Sequence, residues 1–254
     1  MKRSQWTVLC ALALLLLWAM PVGAFEIGAR GYYWFPGFKA NMKSDSAGTS
    51  GTDINLKDSL DVGTKAVPSV EVFAGLGRSH LGLTYTPINY SGSTTLATKI
   101  DFSGQTFAAG TNVDSDLKLR MLDLEYRFTA LNMENILAGF SLDVIGQIKY
   151  IDGEAKIAAA TKEAKQSVQL PIPMVGVGAH IGLLLNILEA RAKVTGISYS
   201  GNYLYEALAD ISLTPFPLLD IHAGYKYIRV HLDRDDLFLS ADFSGPYVAL
   251  TVSF

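Results

Sequence analysis

The stretch Leu117-Lys118-Leu119-Arg120-Met121-Leu122-Asp123-Leu124-Glu125-Tyr126-Arg127-Phe128 decides the fold. Leu117, Leu119 and Met121 alternate with Lys118 and Arg120. After a slip of one position, Leu122, Leu124, Tyr126 and Phe128 alternate with Asp123, Glu125 and Arg127. A period of two is that of an extended strand with unlike faces, whereas an amphipathic helix repeats near 3.6. The slip predicts a β-bulge, which turns a strand's facing without ending the strand.

The same alternation runs outward in both directions. Toward the N-terminus, Phe25, Ile27, Ala29, Tyr33 and Phe35 oppose Glu26, Arg30, Tyr32 and Trp34, and Val70, Val72, Ala74 and Leu76 oppose Ser69, Glu71 and Phe73. Toward the C-terminus it recurs over 140–150, 175–183, 188–195, 203–213, 221–225 and 247–254. With a segment near Leu81–Tyr90 these make about ten strands, each near the ~9–11 residues that cross a bilayer at a tilt. Further slips at Pro87, Tyr227 and Gly245-Pro246 predict further bulges. The fold expected is all-β: a closed antiparallel transmembrane barrel of about ten strands, with eight as the second count and a soluble sandwich or lipocalin-like barrel as the rival architecture.

Composition agrees. The chain has 254 residues, 49% hydrophobic and 18% charged, with a formal charge of −3 and one cysteine; its mean hydropathy is +0.23. A nearly balanced charge argues against a nucleic-acid partner, and no long apolar run beyond the N-terminus argues against helical spans. Segments 36–62, 92–112 and 153–166 read as long polar loops that alternate with short turns, as in outer-membrane barrels. Within the third, Glu154–Gln166 carries strong helix formers and predicts a short helix, with an extended strand tip as the rival. Tyrosines near segment ends, among them Tyr85, Tyr90, Tyr126, Tyr203, Tyr205 and Tyr225, suit the headgroup level.

The N-terminus predicts export. Lys2 and Arg3 precede an apolar Leu9–Met20 stretch, and Val22 and Ala24 offer compact residues for cleavage, so residues 1–24 read as a signal peptide and 25–254 as the barrel. Cys10 would leave with the signal, and no disulfide is expected.

On the second face charges of both signs recur: Glu26, Glu71, Asp123, Glu125, Asp143, Glu189, Glu206 and Asp210 against Arg30, Lys118, Arg120, Arg127, Lys149, Arg191, Lys193, Lys226 and Arg229. In a barrel of eight to ten strands, side chains fill the interior. Balanced charge therefore predicts pairing across the lumen, which is filled or gated, over an open pore; a narrow pore for small solutes is the alternative. Gly176, Gly178 and Gly182 would leave one strand bare inside, with room for a bulky neighbour or water. His180 and His222 read as structural lumen residues, and no metal or cofactor motif is present. The acidic loop residues Asp45, Asp53, Asp58 and Asp61, with Asp233, Asp235 and Asp236, read as solvated, though they could bridge divalent ions to lipopolysaccharide. For catalysis only Asp114 with Asp116 and His231 with Asp233 stand out. Each pair lies two apart on a predicted rim where it could activate a water, and in composition they resemble the site of the ten-stranded outer-membrane proteases. The expectation remains a non-enzymatic barrel.

The last strand carries Val248, Leu250 and Val252 spaced by two before a terminal Phe254. In this the sequence resembles the small single-chain outer-membrane β-barrels of Gram-negative bacteria, of OmpA/OmpW type. The stretch 52–60 (TDINLKDSL) is similar to the first loop of uncharacterised members. The resemblance implies that those four C-terminal residues are read by the barrel-assembly machinery after passage with periplasmic chaperones. It also implies a monomer embedded among membrane lipid and lipopolysaccharide, with a structural or surface-interaction role.

Overall fold

The computed structural model describes residues 25–45, 51–61, 65–133, 139–184, 187–234 and 237–254; the expected signal peptide lies outside the described residues. In chain order the elements are β1 (Phe25–Trp34), β2 (Gly37–Ser44), β3 (Ile54–Asn55), α1 (Leu56–Leu60), β4 (Val67–Leu76), β5 (Ser79–Thr95), β6 (Ile100–Phe102), β7 (Gln105–Phe107), β8 (Asn112–Met133), β9 (Phe140–Ala159), β10 (Lys162–Leu184), β11 (Leu188–Tyr199), β12 (Asn202–Phe216), β13 (Leu219–Arg234) and β14 (Leu237–Ser253). Every neighbouring pair is antiparallel, in the order β1-β4-β5-β8-β9-β10-β11-β12-β13-β14, and β1 returns to β14. After a break at Phe35-Pro36, β2 continues up β14, so β1 and β2 share one position in a ten-strand closed barrel. At its base, Phe254 N–H donates to the Ile27 carbonyl at 2.8 Å and Ile27 N–H to the Phe254 carbonyl at 3.0 Å, which ties the two ends of the described chain together. Closure leaves the lower wall no unpaired edge, which hydrocarbon would not tolerate.

The expected bulges are absent. β5 pairs with β8 without a shift from Ser79↔Phe128 to Thr95↔Asn112, straight through Pro87 and Met121. β13 and β14 likewise run unbroken past Tyr227 and Gly245-Pro246. Shifts occur only near the base, at Thr129/Leu131, Gly182/Leu184 and Leu213/Phe216. At each predicted slip it is not the backbone that changes but the chemistry of its faces. On β8, odd positions point inward throughout: Val113, Leu117, Leu119 and Met121 above, Asp123, Glu125, Arg127 and Thr129 below. Even positions point outward: Asp114, Asp116, Lys118 and Arg120 above, Leu122, Leu124, Tyr126 and Phe128 below. β5 switches at Pro87, β9 between Tyr150 and Ile151, β13 near Tyr227 and β14 near Pro246, all in the same sense.

The barrel is thus two bodies stacked on one set of strands. In the lower half, apolar side chains face out and charged ones face in. Exposed Val72, Leu83, Leu124, Val144, Val177, Ile211 and Leu250 form an outer belt that only hydrocarbon would favour. In the upper half the outer face carries charge and the interior is apolar, the pattern of a β-barrel standing in water. Lys118, Arg120 and Arg229 therefore correct the sequence reading: they lie outside the lumen, Arg120 against Asp152 at 3.6 Å and Arg229 against Asp242 at 3.5 Å. Tyr90, expected at the headgroup level, is buried inside against Phe38.

Loop expectations are also revised. Residues 153–166 are no loop and no helix but the tip of the β9–β10 hairpin. Ala155, Ile157 and Ala164 point inward, while Glu154 meets Lys165 at 2.6 Å and Lys156 meets Glu163 at 2.8 Å outside. Cross-strand pairing and burial outweigh helix propensity, which is worth only tenths of a kcal/mol per residue; the lysine also holds the Glu154 carboxyl below the usual range. The helix that forms is α1, from the first loop. Its C-terminal carbonyls, of Leu60 and Asp61, press on Gly92 of β5, where any Cβ would collide with them. The β6–β7 hairpin turns through Ser103 and Gly104, both at positive φ (47° and 75°), as a two-residue primed turn requires. Thr52 N–H donates to the Asp101 carbonyl at 2.8 Å, joining this hairpin to the first loop. Together Ile54, Leu56, Leu60, Ile100, Phe102 and Phe107 roof the barrel.

The continuous register makes a test. Leu124→Arg, on the belt, should lower unfolding free energy in lipid vesicles by about 2–4 kcal/mol. Lys118→Ala, on the same face six residues higher, should change it by less than about 0.5 kcal/mol. Guanidinium titration read by heat-modifiable gel migration checks both, and a large Lys118 effect would restore the bulge.

Candidate functional site

The lower lumen is filled by an ion-pair layer built from every part of the wall. Lys149 of β9 is 0% exposed and bonds both Asp123 of β8 and Glu206 of β12, the latter at 2.9 Å. Lys226 of β13 reaches the other Glu206 oxygen at 3.3 Å and stands 5.4 Å from the Trp34 ring centre. Gln147 donates to Asp123 at 3.0 Å. Lys193 of β11 meets Glu125 of β8 at 2.5 Å, and Arg127 lies 3.9 Å from the same carboxylate.

A second cluster lies one level lower in the lumen, on β11, β12 and β13 again and on β1, β4 and β14. Asp210 accepts from Arg191 at 3.1 Å and from the Tyr247 hydroxyl at 2.6 Å. Arg191 also sits 2.6 Å from His222 Nδ1. A guanidinium can only donate, so Nδ1 accepts, and Nε2 carries the hydrogen given to Thr251 Oγ1 at 2.8 Å. Arg30 donates to the same Thr251 oxygen at 2.6 Å and pairs with Glu71 at 3.3 Å, while the Tyr32 hydroxyl bonds Glu71. Asp143 accepts from Thr129 at 2.8 Å. Nearer the base, His180 faces Glu189 at 3.0 Å and His80 faces Glu26 at 3.8 Å.

Of the charges expected in the lumen, the structure thus gathers Glu26, Arg30, Glu71, Asp123, Glu125, Arg127, Asp143, Lys149, Glu189, Arg191, Lys193, Glu206, Asp210 and Lys226, and excludes Lys118, Arg120 and Arg229. Sequence reading did not anticipate the bridging roles of Tyr32, Gln147, Tyr247 and Thr251, uncharged groups whose value depends on which carboxylate they meet. The bare strand of Gly176 and Gly178 is not a channel: a Cβ on Gly176 would strike Val194 and Thr195, and Gly178 lies against Asp143 and Ile145. Below the layer a cavity of about 380 Å³ opens at the base, reaching Arg30, Glu71 and Arg191. Inside the layer lie gaps of about 40 and 50 Å³.

Above the layer the lumen becomes apolar. A cavity of about 70 Å³ lies between Phe38 and Met42 of β2, Leu56 of α1, Leu119 of β8, Ala155 of β9 and Ala241 of β14, and no polar atom faces it. Beside it a larger cavity of about 230 Å³ lies in the wall itself. β10 pairs with β9 from Lys162 downward, but with β11 only from Val175. The β11–β12 hairpin ends at Ser200-Gly201, so among the described residues no strand is paired to the other edge of β10 above Val175. Pro171 and Pro173 fall in this one-sided stretch, where a missing N–H is tolerated.

The weak catalytic candidates are not brought together. Asp114 and Asp116 point outward from β8, and His231 and Asp233 outward from β13, with four strand positions between them either way round. His231 instead stacks on Tyr203, ring centres 5.0 Å apart. The one-water reach that a rim hydrolase requires does not exist, because the alternation that buries Leu117 and Val230 turns these residues outside. Among the described residues no group of three acidic, histidine or cysteine side chains is placed to hold a metal; Asp235 and Asp236 lie outside them.

No family model and no curated protein matches the chain. Solved structures do. The outer membrane protease OmpT of Escherichia coli superposes with a TM-score of 0.59 at 10% identity, over 91% of this chain and 98% of that one. The chain has the fold of a ten-strand outer-membrane barrel. The translocator domain of the autotransporter NalP from Neisseria meningitidis matches at 0.44 and 10% identity, over 100% and 96% of the two chains. Ail of Yersinia pestis, an attachment invasion locus protein, matches at 0.37 and 10% identity, over 91% and 98%.

Removing Lys149 tests the layer. Lys149→Met removes the cation shared by two buried carboxylates and should cost about 3–5 kcal/mol of unfolding free energy. Adding Glu206→Gln should recover part of that loss, a non-additivity that a double-mutant cycle in vesicles measures.

Proposed function

We propose that this protein is an exported, non-enzymatic outer-membrane barrel of the OmpA/OmpW-like kind, a sealed anchor that carries a rigid, surface-exposed upper barrel with a role in structure or surface interaction. The observation that carries this reading is Lys149, fully buried and bonded to Asp123 on the neighbouring β8 and to Glu206 of β12 across the lumen. A charge so placed has lost its water and is held by partners, so breaking the layer to pass an ion costs more than passage returns. Export through cleavage after Ala24, assembly through Val248, Leu250, Val252 and Phe254 by the barrel-assembly machinery with periplasmic chaperones, and a monomer set in lipid and lipopolysaccharide complete the reading. The charged face of the upper half suits solvent and headgroups, and the apolar belt suits acyl chains.

A second reading, a narrow pore for small solutes, draws on the 380 Å³ cavity at the base, which brings water up to Arg30 and Arg191. Single-channel recording in planar bilayers separates the two. The native barrel should show no unitary conductance at neutral pH, and Lys149→Ala with Lys193→Ala, which breaks the layer at both cross-lumen contacts, should produce discrete openings. Steady native conductance would establish the pore instead.

A further inference from the structure

We infer that the cavity at the base of the lumen is a binding site for a small zwitterion of the α-amino-acid class. Arg127 of β8 receives its carboxylate and Asp143 of β9 its ammonium group. This goes beyond the sealed-barrel reading: the charged layer above makes the cavity a dead end, filled and emptied from the side which that reading places in the periplasm.

The pairing of the lining charges carries it. Most already have partners: Arg30 pairs with Glu71 at 3.3 Å, Arg191 with Asp210 at 3.1 Å and His180 with Glu189 at 3.0 Å, and Glu26 faces His80 at 3.8 Å. Arg127 and Asp143 are left over. The nearest carboxylate to Arg127 among the described residues is Glu125 at 3.9 Å, whose other oxygen Lys193 holds at 2.5 Å, and Arg127 Nε is buried without a hydrogen bond. Asp143 is 7% exposed and accepts from Thr129 at 2.8 Å, and among the described residues no cation lies within 4.0 Å of it. A buried charge without a counter-ion is costly, so a ligand that brings one is favoured. Both side chains line the basal cavity of about 380 Å³ and also the gap of about 50 Å³ above it, so they meet the same space where it narrows. Register sets their spacing. Arg127 lies opposite Ile145 and Thr129 opposite Asp143, which makes Arg127 and Asp143 diagonal neighbours about 7–8 Å apart along the backbone ladder. A ligand whose two charges stand one carbon apart can reach both. Gly178, opposite Asp143 on β10, keeps the approach open: any side chain there would start from a Cβ only 3.4 Å from Asp143 Oδ2. The other unmatched charges, Arg78, exposed in the β4–β5 turn, and Asp220, bonded to Thr214 at 2.6 Å, line only the wide end. A lone anion would meet Asp143 and a lone cation Arg127, so like-charge repulsion discriminates against both. Closed strand pairing around the lower wall leaves the base as the way in.

The full barrel in nanodiscs is titrated with tritiated L-alanine by scintillation proximity, with empty discs subtracted. Saturable one-site binding is expected. Propionate and ethylamine, each carrying one of the two charges, should compete at least tenfold more weakly than unlabelled L-alanine. Arg127→Gln and Asp143→Asn should each weaken L-alanine binding at least tenfold, with heat-modifiable migration confirming that both variants are folded. Asp143→Asn keeps the Thr129 contact and removes an uncompensated buried charge, so its guanidinium midpoint should equal or exceed the native one, whereas a carboxylate retained for stability alone would lower it. No saturable binding, competition by propionate or ethylamine as strong as by L-alanine, native affinity in either variant, or a lowered midpoint in Asp143→Asn overturns the proposal. Planar-bilayer recording tests the seal separately. A barrel that conducts yet binds L-alanine refutes the sealed lumen and leaves the site standing; one that neither conducts nor binds keeps the seal and removes the site.

Discussion

One set of ten strands has to satisfy two solvents. Over its lower half the outside is suited to hydrocarbon and the inside must hold every polar side chain; over its upper half the outside is suited to water and the inside must be dry. A strand cannot rotate between the two regimes without breaking its ladder, because side chains alternate strictly and a slip of one residue would reverse every position beyond it. The chain solves this by exchanging residue types while keeping the backbone in register. Met121 and Leu122 on β8, Tyr150 and Ile151 on β9, and Pro87 on β5 mark the level of exchange. The unbroken register lets β8, β9 and β10 reach 20 residues or more and rise as a wall above the belt.

The interior follows from that division. Below the exchange level, a charge on a lumen-facing position has little water and no lipid headgroup to solvate it, so it finds a partner on a neighbouring strand, as Arg30 does in Glu71, or across the barrel, as Lys149 does in Glu206 and Lys193 in Glu125. The balance of signs among Glu71, Asp123, Glu125, Glu206 and Asp210 against Arg30, Lys149, Arg191, Lys193 and Lys226 makes that possible, and Tyr32, Tyr247 and Thr251 add hydrogen bonds to Glu71, Asp210 and Arg30. Above the level, burial of Phe38, Ile88, Ile157, Ile228 and Phe243 stabilises by about 1.5–3 kcal/mol for each large side chain. The roof of α1 and the β6–β7 hairpin completes that core. Among the described residues, strand pairing does not close the upper wall on two sides: beside β10 above Val175, and between β2 and the part of β5 above Tyr85, where α1 packs against Gly92 instead.

Much of the lower half was legible in the sequence, because a belt facing hydrocarbon and a lumen facing inward impose opposite chemistry on successive residues. Arg30, Glu71, Lys149, Arg191 and Glu206 could be assigned to the lumen for that reason. Arg120 and Arg229 could not be assigned by the same rule: they lie above the exchange level, where the rule inverts, and an inversion without a backbone change reads in one dimension as a bulge. The 154–166 segment misled in a related way. Its helix formers are intrinsic preferences of tenths of a kcal/mol, whereas its partners, Ala155 and Ile157 inside and Glu154 with Lys165 outside, exist only once β9 and β10 are paired. Asp114, Asp116, His231 and Asp233 were plausible at a rim until the facing of their strands was known.

What the sequence by itself determined is the class of barrel, a strand number of about ten or eight and the paired character of its lumen, because period-two patterning and charge balance are local and additive properties. What only the tertiary structure decided is where the two solvents meet along each strand, which carboxylate each base reaches, and that the β11–β12 hairpin ends below the top of β10. Those depend on the relative heights of strands far apart in the chain. Height in a tilted barrel is set by register around the closed ring, a quantity that no single segment contains.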